Sequence, residues 1–397
     1  MPDAVIVSVA RSPIGRAFKG SFAGERGDEL LLQMATAALA AAPGFDPHRL
    51  DEVIVGCSLA AGELGGNVGR TLPILLGLDE VPGYTLNRYC ASSLQTTRSA
   101  VHAIRAGEGH AYLSLGVENV SRTGDRGPDP RESERNPRFP MFEPSGSWLD
   151  PRSRGELPDA FIAMGETAEN VAQLRGVTRA QMDEYAAESQ ARAARADAAG
   201  FWDKDIIPVT LSDGTVIARD DSPRPGTTAE GLAGLTPSFR PDGTITAGNC
   251  CPLNDGAAAV LIMSDQLAGE LGLVPRARIV STAVSALSPE IMGLGTVEAA
   301  RRALAAAKLS ADDMDLVEIN EAFAAQVIPT YEDLGVPRDK VNVMGGAIAV
   351  GHPFGMSGAR ITSTLLNALD WTGGRYGLQT MCVAGGQGMA MVVERLT

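Results

Sequence analysis

The sequence predicts an α/β protein of two similar halves, with a long insertion in the first half. Three observations support this prediction. Strand-like apolar runs alternate with helical ones, and strand-like segments of the first half recur in the second half. In addition, two strands that adjoin in the second half are separated in the first half by about 140 residues, far more than an ordinary loop contains.

The alternation of strands and helices starts at the N-terminus. Residues 4–9 form an apolar, strand-like run, and residues 29–42 follow with a helical pattern. A second strand-like run lies at residues 53–56, and a third at residues 85–87 leads into a helix at residues 92–106. This rhythm is typical of βα units and predicts a largely parallel sheet.

The second half of the chain repeats the first. Residues 6–10 (IVSVA) resemble residues 279–283 (IVSTA), and residues 50–55 (LDEVIV) resemble residues 314–319 (MDLVEI). Self-similarity over this distance predicts two related structural units, which we expect to pack face to face.

The last two strands of each half locate the insertion. In the second half, the strand at residues 378–382 turns through Gly385-Gly386 directly into the strand at residues 389–393. The matching strands of the first half, at residues 112–117 and 257–263, are far apart in the chain. The segment between them must therefore form a subdomain or a long functional excursion.

The insertion is predicted to be partly folded. Residues 122–154 are rich in Pro, Arg and Asp and predict a loop, whereas Thr178 and Gln181 form a capping-box pattern that opens a helix running towards Gly200. The expected units are an N-terminal half of residues 1–121 plus 249–270, an inserted loop domain of residues 122–248, and a C-terminal half of residues 271–397.

Composition and charge restrict the classes of function. The 397 residues carry a formal net charge of −14, which repels phosphate backbones and anionic lipids, so we expect neither nucleic acid nor a membrane as a partner. The N-terminus lacks the pattern of a signal peptide, and we expect a cytoplasmic protein. The five cysteines have no CxxC spacing, which favours neither a disulfide framework nor a metal site.

His352 is the most informative single residue. The chain has only four histidines, and the other three lie in or beside polar, helix-like stretches. His352 stands instead in the run of small residues at 351–358, which leaves its surroundings open to a ligand. It is therefore the candidate catalytic imidazole.

Cys90 is the candidate nucleophile. It follows the strand predicted at residues 85–87 and precedes the helix predicted at residues 92–106. The free N–H groups and the dipole at the start of that helix would favour the thiolate over the thiol. The alternative for a lone cysteine in this position is an inert, buried side chain.

Three further positions carry candidate chemistry, each with a plain structural alternative. Cys382 precedes a glycine-rich turn at residues 385–388, whose N–H groups could bind an oxyanion or could simply need glycine for the turn. Asn320, with Glu321, ends a predicted strand but could be a cap or a turn. Arg224 could pair with a phosphate or could be an ordinary solvated arginine.

Taken together, these segments resemble the thiolase family over nearly the whole chain. No single string establishes the resemblance, which depends on their order and spacing. The strings are residues 10–15, 87–90, 116–118, 164–165, 167–169, 246–249, 254–256, 320–323, 345–358 and 382–388.

The resemblance implies a fold and a reaction. The fold would be a pair of βαβαβαββ halves around a layered α-β-α-β-α core, with an inserted loop subdomain. Thiolases transfer acyl groups between thiols and make or break a carbon–carbon bond beside a thioester. Coenzyme A would be a substrate, no permanently bound cofactor is implied, and the family forms homodimers and homotetramers.

The family roles fall on four side chains of this sequence. Cys90 would be the acylated nucleophile, and His352 would take its proton. His352 and a water held by Asn320 would also bind the enolate-like thioester oxygen. Cys382 would remove or return the α-proton of the acetyl thioester.

A second oxyanion hole is implied at the backbone N–H groups of Cys90 and Ala384. Thiolases usually have glycine at the position of Ala384, and a positive φ there would strain an alanine. We therefore expect this hole to be retained only if Ala384 has a negative φ.

The resemblance also assigns contacts with coenzyme A, to Arg224, Met164, Leu235, Phe239, Cys251 and Phe323. Cys251 stands in place of a common serine. Ala163 stands where short-chain biosynthetic thiolases carry histidine, which favours a broader 3-ketoacyl-CoA thiolase of fatty-acid degradation (β-oxidation) over an acetyl-CoA C-acetyltransferase specific for acetoacetyl-CoA.

Two rival functions compete with this one. A ketoacyl synthase needs a second histidine or an asparagine pair, and His48, His102 and His110 are in the wrong places for it. A thiolase-like protein that binds acyl-CoA without turnover is opposed by the intact set of four side chains, but Ala384 keeps that alternative open.

Overall fold

The computed structural model describes residues 2–123, 135–144 and 147–397, and one ten-stranded sheet runs through it. Its strands in the first half are β1 (Ala4–Arg11), β2 (Gly15–Arg16), β3 (Glu52–Cys57), β4 (Gly83–Leu86), β5 (Ala111–Asn119) and β8 (Asn254–Ser264). Those in the second half are β9 (Ala277–Ala286), β10 (Leu316–Ile319), β11 (Tyr376–Val383) and β12 (Gln387–Arg395). A separate hairpin joins β6 (Val209–Thr210) and β7 (Val216–Ile217).

The strand order confirms two similar halves. The order is β10-β11-β12-β9-β1-β8-β5-β3-β4, so each half arranges its strands in the same sequence relative to its own first strand. The third strand of the second half is reduced to one parallel bridge, between Val317 and Val341. The halves join where Val5 and Ile6 pair with the start of β9.

The expectation of a largely parallel sheet is wrong. Apart from isolated bridges, the parallel pairs among the described strands are β3–β4, β3–β5 and β10–β11, whereas β8 and β12 run antiparallel to their neighbours. In the second half, Gly385 and Gly386 adopt φ of 74° and 76° and reverse the chain between β11 and β12 without a crossover helix. The alternation of strands and helices in the sequence did not predict these antiparallel pairings.

Helices cover and separate the sheet regions. They are α1 (Gly27–Ala40), α2 (Val68–Leu75), α3 (Ser92–Ala106), α4 (Met164–Arg175), α5 (Arg179–Ala198), α6 (Trp202–Asp205), α7 (Ala229–Ala233), α8 (Asp265–Glu270), α9 (Gly295–Ala307), α10 (Ala324–Leu334), α11 (Ala347–Val350) and α12 (Ser357–Thr372). Among the described residues, no helix has the length and apolar character needed to cross a membrane.

Three hydrophobic cores define the five layers. Helices α3 and α12 share the central core with inward residues of both halves, such as Val260 and Met391. The other face of β8, including Leu261, packs on α1 and α2, and the other face of β12, including Val392, packs on α9 and α10. Successive side chains of a strand point to opposite faces, so this division establishes the expected α-β-α-β-α arrangement.

The insertion is partly helical and packs on the second half. Helix α5 begins with the predicted capping box of Thr178 and Gln181, and Met182 and Tyr185 of this helix join the outer core formed by α9 and α10. Of the predicted loop at residues 122–154, positions 124–134 and 145–146 lie outside the described residues. The rest contains short 3-10 turns at Val120–Arg122 and Pro151–Arg154.

Candidate active site

The site lies where the two central helices begin. Each is preceded by a 3-10 turn, Tyr89–Ala91 before α3 and Phe354–Met356 before α12, and these turns pack against each other. An added Cβ at Gly358 would lie 2.3 Å from the Leu94 amide nitrogen. The close crossing therefore holds the Cys90 and His352 segments together.

Cys90 sits on a strained turn. Tyr89, directly before it, has φ of 46°, a conformation that is costly for a bulky residue. The Tyr89 N–H donates to Asn87 Oδ1 at 2.7 Å, and the Ser92 hydroxyl donates to the Tyr89 carbonyl at 2.6 Å. These bonds hold the strained geometry and present Cys90 at the start of α3.

Burial outweighs the activation that the helix start is predicted to give Cys90. Burial raises the pKa of Cys90 to about 12, and the Glu118 charge adds to this rise. The N–H of Ala384 contacts the sulfur and acts in the opposite direction, but it does not overcome burial. Resting Cys90 is therefore a thiol, and its use as a nucleophile requires a base.

His352 is a buried, neutral imidazole. Its Nδ1 lies 2.6 Å from Ser357 Oγ, and the Ser357 hydroxyl also lies 2.9 Å from the Pro353 carbonyl, its natural acceptor. This network assigns the proton to Nδ1 and leaves Nε2 as a hydrogen-bond and proton acceptor. Burial, and then the Arg360 charge, lowers the pKa of His352 to about 3, so the ring is uncharged and can accept a proton.

Asn320 completes the histidine side of the site. Its Nδ2 lies 3.3 Å from His352 Nε2, and its N–H donates to the Thr380 carbonyl at 3.0 Å. Asn320 Oδ1 is buried and has no hydrogen-bond partner among the described residues. A buried acceptor of this kind is available to a water or a substrate donor.

Cys382 and Ala384 approach Cys90 from the other half. Burial raises the pKa of Cys382 far above its ordinary value, and a negative charge on the nearby Cys90 would raise it further. The left-handed positions of the turn fall on Gly385 and Gly386, and Ala384 is not among the non-glycine residues with positive φ. The backbone of Ala384 is therefore unstrained. The alternative of a thiolase-like protein without turnover depended on strain at this alanine and loses that support.

The residues assigned to coenzyme A form two groups. The Phe239 ring lies 6.4 Å from the Phe323 ring and against Gly165, next to Met164. Leu235 lies against Gly248. Phe239 and Leu235 are 42% and 38% exposed, so both side chains have apolar surface that is available for contact with a ligand.

Cys251 and Arg224 complete this set of residues. The Cys251 N–H donates to the Ala322 carbonyl at 3.0 Å. Burial raises the pKa of Cys251, and a negative charge on Cys250, Cys90 or Cys382 would raise it further, so its thiol lies near these sulfurs. Arg224 is exposed, and its guanidinium makes no ion pair within the part of the chain that the structure describes.

Two buried glutamates were missed as site residues. Glu118 accepts the N–H groups of Ser58, Leu59 and Gly355 at 2.8 to 3.0 Å, and burial raises its pKa to about 7. It thereby ties the end of β5 to the His352 loop. The sequence signal that could have identified Glu118 is a lone carboxylate inside the apolar run of β5.

Glu321 makes the corresponding link to the insertion. It accepts the hydroxyls of Tyr185 and Ser189, the Asn342 amide and the Ile348 N–H at 2.7 to 3.0 Å. In the sequence alone, Asn320-Glu321 has the pattern of an ordinary cap or turn. The partners of Glu321 lie far from it in the chain, so no local signal indicates its role.

Comparisons with known proteins agree over the whole chain. The family model described as the N-terminal domain of thiolase matches residues 4–266, and that described as the C-terminal domain matches residues 273–395. A beta-ketoadipyl-CoA thiolase of Escherichia coli is 43% identical, and the match covers 100% of both chains. A 3-ketoacyl-CoA thiolase of Saccharophagus degradans is 41% identical over 99% of this chain and 98% of its own.

A solved structure gives the same result. The crystal structure of the Bacillus anthracis acetyl-CoA acetyltransferase superposes with a TM-score of 0.88 and 38% sequence identity, covering 100% of this chain and 99% of that one.

Proposed function

The chain belongs to the thiolase family, an acyltransferase family acting on acyl-CoA, and we propose that its reaction proceeds through an acyl group on Cys90. In the cleavage direction, Cys90 sulfur attacks the 3-keto carbon as His352 Nε2 takes the thiol proton. The bond between C2 and C3 breaks, the acyl group stays on Cys90, and acetyl-CoA leaves as its enolate. The acetyl-CoA enolate takes its proton from Cys382. Coenzyme A then attacks acyl-Cys90 as its thiol proton passes to the Cys382 thiolate, and the Cys90 sulfur leaves with the proton held on His352, which releases the shortened acyl-CoA.

The observation that carries this proposal is the pairing of a neutral imidazole with a protonated thiol. His352 Nε2 is an acceptor that lies 3.3 Å from Asn320 Nδ2, and Cys90 lies on the adjoining turn with the Ala384 N–H at its sulfur. The N–H groups of Cys90 and Ala384 would stabilise the tetrahedral oxyanion, and each such donor is typically worth about 3 kcal/mol. His352 and a water on Asn320 would bind the enolate oxygen.

Cys382 would return the proton to the α-carbon of the departing acetyl-CoA, or remove it in the reverse, Claisen direction. Its position beside Cys90 supports this role. Its high pKa also suits it to be a proton donor at neutral pH, because the thiol form predominates.

For substrates, we propose 3-ketoacyl-CoA esters of fatty-acid or related acyl-CoA degradation (β-oxidation). Ala163, which precedes α4, removes a polar group from the pocket, and relatives are named for 3-ketoacyl-CoA and beta-ketoadipyl-CoA. The second candidate is an acetyl-CoA C-acetyltransferase specific for acetoacetyl-CoA, which the likeness to the Bacillus anthracis acetyl-CoA acetyltransferase favours.

The proposed coenzyme A site uses the insertion. Phe239, Phe323, Met164 and Leu235 would line pantetheine, with Cys251 near the thioester. The guanidinium of Arg224 would pair with a nucleotide phosphate. Coenzyme A would enter as a substrate, with no permanently bound cofactor.

The division into units is likewise proposed: residues 1–121 with 249–270, the insertion at 122–248, and residues 271–397.

We also propose a cytoplasmic homodimer or homotetramer. The β4 strand lies at the edge of the sheet, and Ile74 and Leu75 of the adjoining α2 are each 48% exposed. An open edge beside apolar side chains favours pairing with a second copy.

The test separates acylation from carbon–carbon chemistry. Incubation with acetyl-CoA should add an acetyl mass to the Cys90 peptide, and acetoacetyl-CoA with coenzyme A should be cleaved. Cys382→Ala should still acetylate Cys90 but lose cleavage by about 10²-fold or more, whereas Cys90→Ala should lose both. An unmodified Cys90 with no turnover would contradict the proposal, and equal loss of acetylation in Cys382→Ala would contradict the role of Cys382.

A further inference from the structure

The segment that carries Arg224 is held in a fixed position by hydrogen bonds. We call residues 220–224 the Arg224 segment. The Ile14 N–H donates to Asp220 Oδ1 at 2.8 Å, and the Asp221 N–H donates to the Ile14 carbonyl at 3.0 Å. The segment at the end of the insertion is therefore joined to the first half of the chain, although the Arg224 side chain itself is exposed.

The side-chain amide of Asn254 links this segment to His352. Asn254 is fully buried at the start of β8. Its Nδ2 donates to the Gly15 carbonyl at 2.9 Å and lies 3.3 Å from Ser222 Oγ. Its Oδ1 accepts the backbone N–H of His352 at 2.9 Å. One buried amide thus contacts both the Arg224 segment and the backbone of the catalytic histidine.

The side-chain amide of Gln190 makes a second link. Gln190 is buried on α5, and its Oε1 accepts the Arg224 N–H at 2.8 Å. Its Nε2 donates to the Ile348 carbonyl at 3.2 Å. Ile348 belongs to α11, the short helix that ends two residues before His352. Two separate amides therefore join the Arg224 segment to the chain around His352.

The backbone directly before His352 depends on its neighbours for its conformation. Gly351 has φ of 116° and ψ of 165°, a combination that is essentially restricted to glycine and persists only where the surrounding structure imposes it. An added Cβ at Gly351 would lie 2.6 Å from Ile14 Cγ2 and 2.8 Å from Asn254 Oδ1. Ile14 and Asn254 are also partners of the Arg224 segment.

A displacement of the Arg224 segment would therefore reach His352. The linking groups are buried, so breaking their hydrogen bonds without replacement by water is costly. The alternative is that His352 moves with the segment. A small displacement of a catalytic base lowers the rate strongly.

The following inference rests on the acyl transfer at Cys90 and on the pairing of Arg224 with a nucleotide phosphate, both proposed above. We infer that Asn254 and Gln190 are positioning residues, through which binding of the coenzyme A nucleotide holds His352 in place for proton transfer. Binding energy from a remote part of a substrate then raises the rate of the chemical step as well as the affinity.

The test compares acetoacetyl-CoA with acetoacetyl-pantetheine, which lacks the nucleotide. The purified full chain is mixed with each thioester in the absence of a free thiol, and the initial rate of Cys90 acetylation is followed by mass spectrometry of quenched samples. Extrapolation to saturating thioester removes the difference in affinity. We expect the limiting rate with acetoacetyl-CoA to be higher by about fivefold or more. Arg224→Ala should remove most of this difference.

Variants of the two links show whether they carry the effect. Gln190→Met keeps the length of the side chain but cannot form either hydrogen bond. Ser222→Ala removes the contact of Asn254 with the segment and leaves its bond to His352 in place. Each variant should reduce the ratio of the two limiting rates by about twofold or more, and the double variant should bring it to about one.

Two further variants complete the set. Asn254→Ala also removes the acceptor of the His352 N–H, so it should lower the limiting rate with both thioesters by about tenfold or more. Gln173→Met, at an exposed position of α4, is the matched control for Gln190→Met and should leave both rates and their ratio unchanged.

The outcomes separate the inference from the proposed function. Absence of acetylation of Cys90 by either thioester would overturn the proposed function itself. Equal limiting rates for the two thioesters in the parent chain would overturn only the inference. A ratio that stays at the parent value in Gln190→Met, in Ser222→Ala and in the double variant would also overturn it, because a general loss of structure lowers both rates alike.

Discussion

Burial determines the charge states of Cys90, His352 and Glu118. It keeps Cys90 and His352 uncharged near neutral pH, because it raises the pKa of the thiol to about 12 and lowers that of the imidazole to about 3. The opposite shifts have one physical cause, since burial penalises whichever form is charged. Transfer of the proton from Cys90 to His352 would therefore create two charges together, and the Ala384 N–H and Asn320 would offset that cost.

Glu118 gives a prediction about stability and pH. Its folded pKa of about 7 lies above the ordinary value of about 4.3, so the folded state holds the proton more tightly. The stabilisation is fully present below pH 4.3 and is lost as pH rises towards 7. Between pH 5.5 and 8.5 this loss amounts to about 2 kcal/mol.

Glu118→Gln cannot ionise, so its free energy of unfolding should rise by about 2 kcal/mol relative to the parent chain between pH 5.5 and 8.5. Urea unfolding at both pH values measures this difference. Glu230→Gln, an exposed substitution on α7, serves as the control. A constant offset between Glu118→Gln and the parent would show that Glu118 does not titrate in this window.

The order and spacing of the motifs, through their resemblance to the thiolase family, predicted Cys90, His352, Cys382 and Asn320 as a set. The direction of the Cys90 shift was not predictable. It depends on the packing density around the sulfur and on the Glu118 carboxylate, and neither is local to the Cys90 segment.

At the scale of elements, the crossing of α3 and α12 positions the site. Gly358 allows it, because an added Cβ would meet the Leu94 nitrogen at 2.3 Å and the Leu94 Cβ at 2.8 Å. We predict that Gly358→Ala lowers stability by about 2 kcal/mol. It should also lower kcat for cleavage by about tenfold or more, since small displacements of reacting groups are costly.

Thermal unfolding and steady-state kinetics measure both effects. Gly269→Ala on α8 is the matched control, because an added Cβ there has no heavy atom within 4 Å, and alanine favours a helix. If Gly358→Ala resembled this control in both measurements, the crossing would not be tightly packed.

Local signals predicted several elements well. The helix expected at residues 92–106 is α3 (Ser92–Ala106), and the capping box of α5 forms as its sequence indicates. The directions of β8 and β12 were not predictable from strand patterns, because a strand has the same apolar pattern in either direction.

At the scale of the whole molecule, the prediction of a homodimer or homotetramer is based on the open edge of β4. Light scattering should give a mass of two or four times the 41.4 kDa chain. Ile74→Glu, which places a charge on the exposed surface of α2, the helix that packs on β4, should reduce the mass to that of a smaller species. Val274→Glu, at a residue 72% exposed outside the edge, should not. A mass of one chain for the unaltered protein would contradict the proposal.

The duplication was visible in the sequence, but the packing of the insertion was not. Met182 and Tyr185 belong to the insertion of the first half, yet they pack in the outer core of the second half. Contacts of this kind join residues far apart in the chain, so local patterns carry no signal for them.

The matching 3-10 turns before α3 and α12 have a consequence for how such a site can arise. Cys90 lies two residues before α3, whereas His352 lies five residues before α12, so the two groups occupy different positions of the two halves. A nucleophile faces a base here because the two halves have diverged in sequence. The similar folding of the two halves brings the Cys90 and His352 segments close together. The difference in sequence between the halves places a nucleophile on one side of the site and a base on the other.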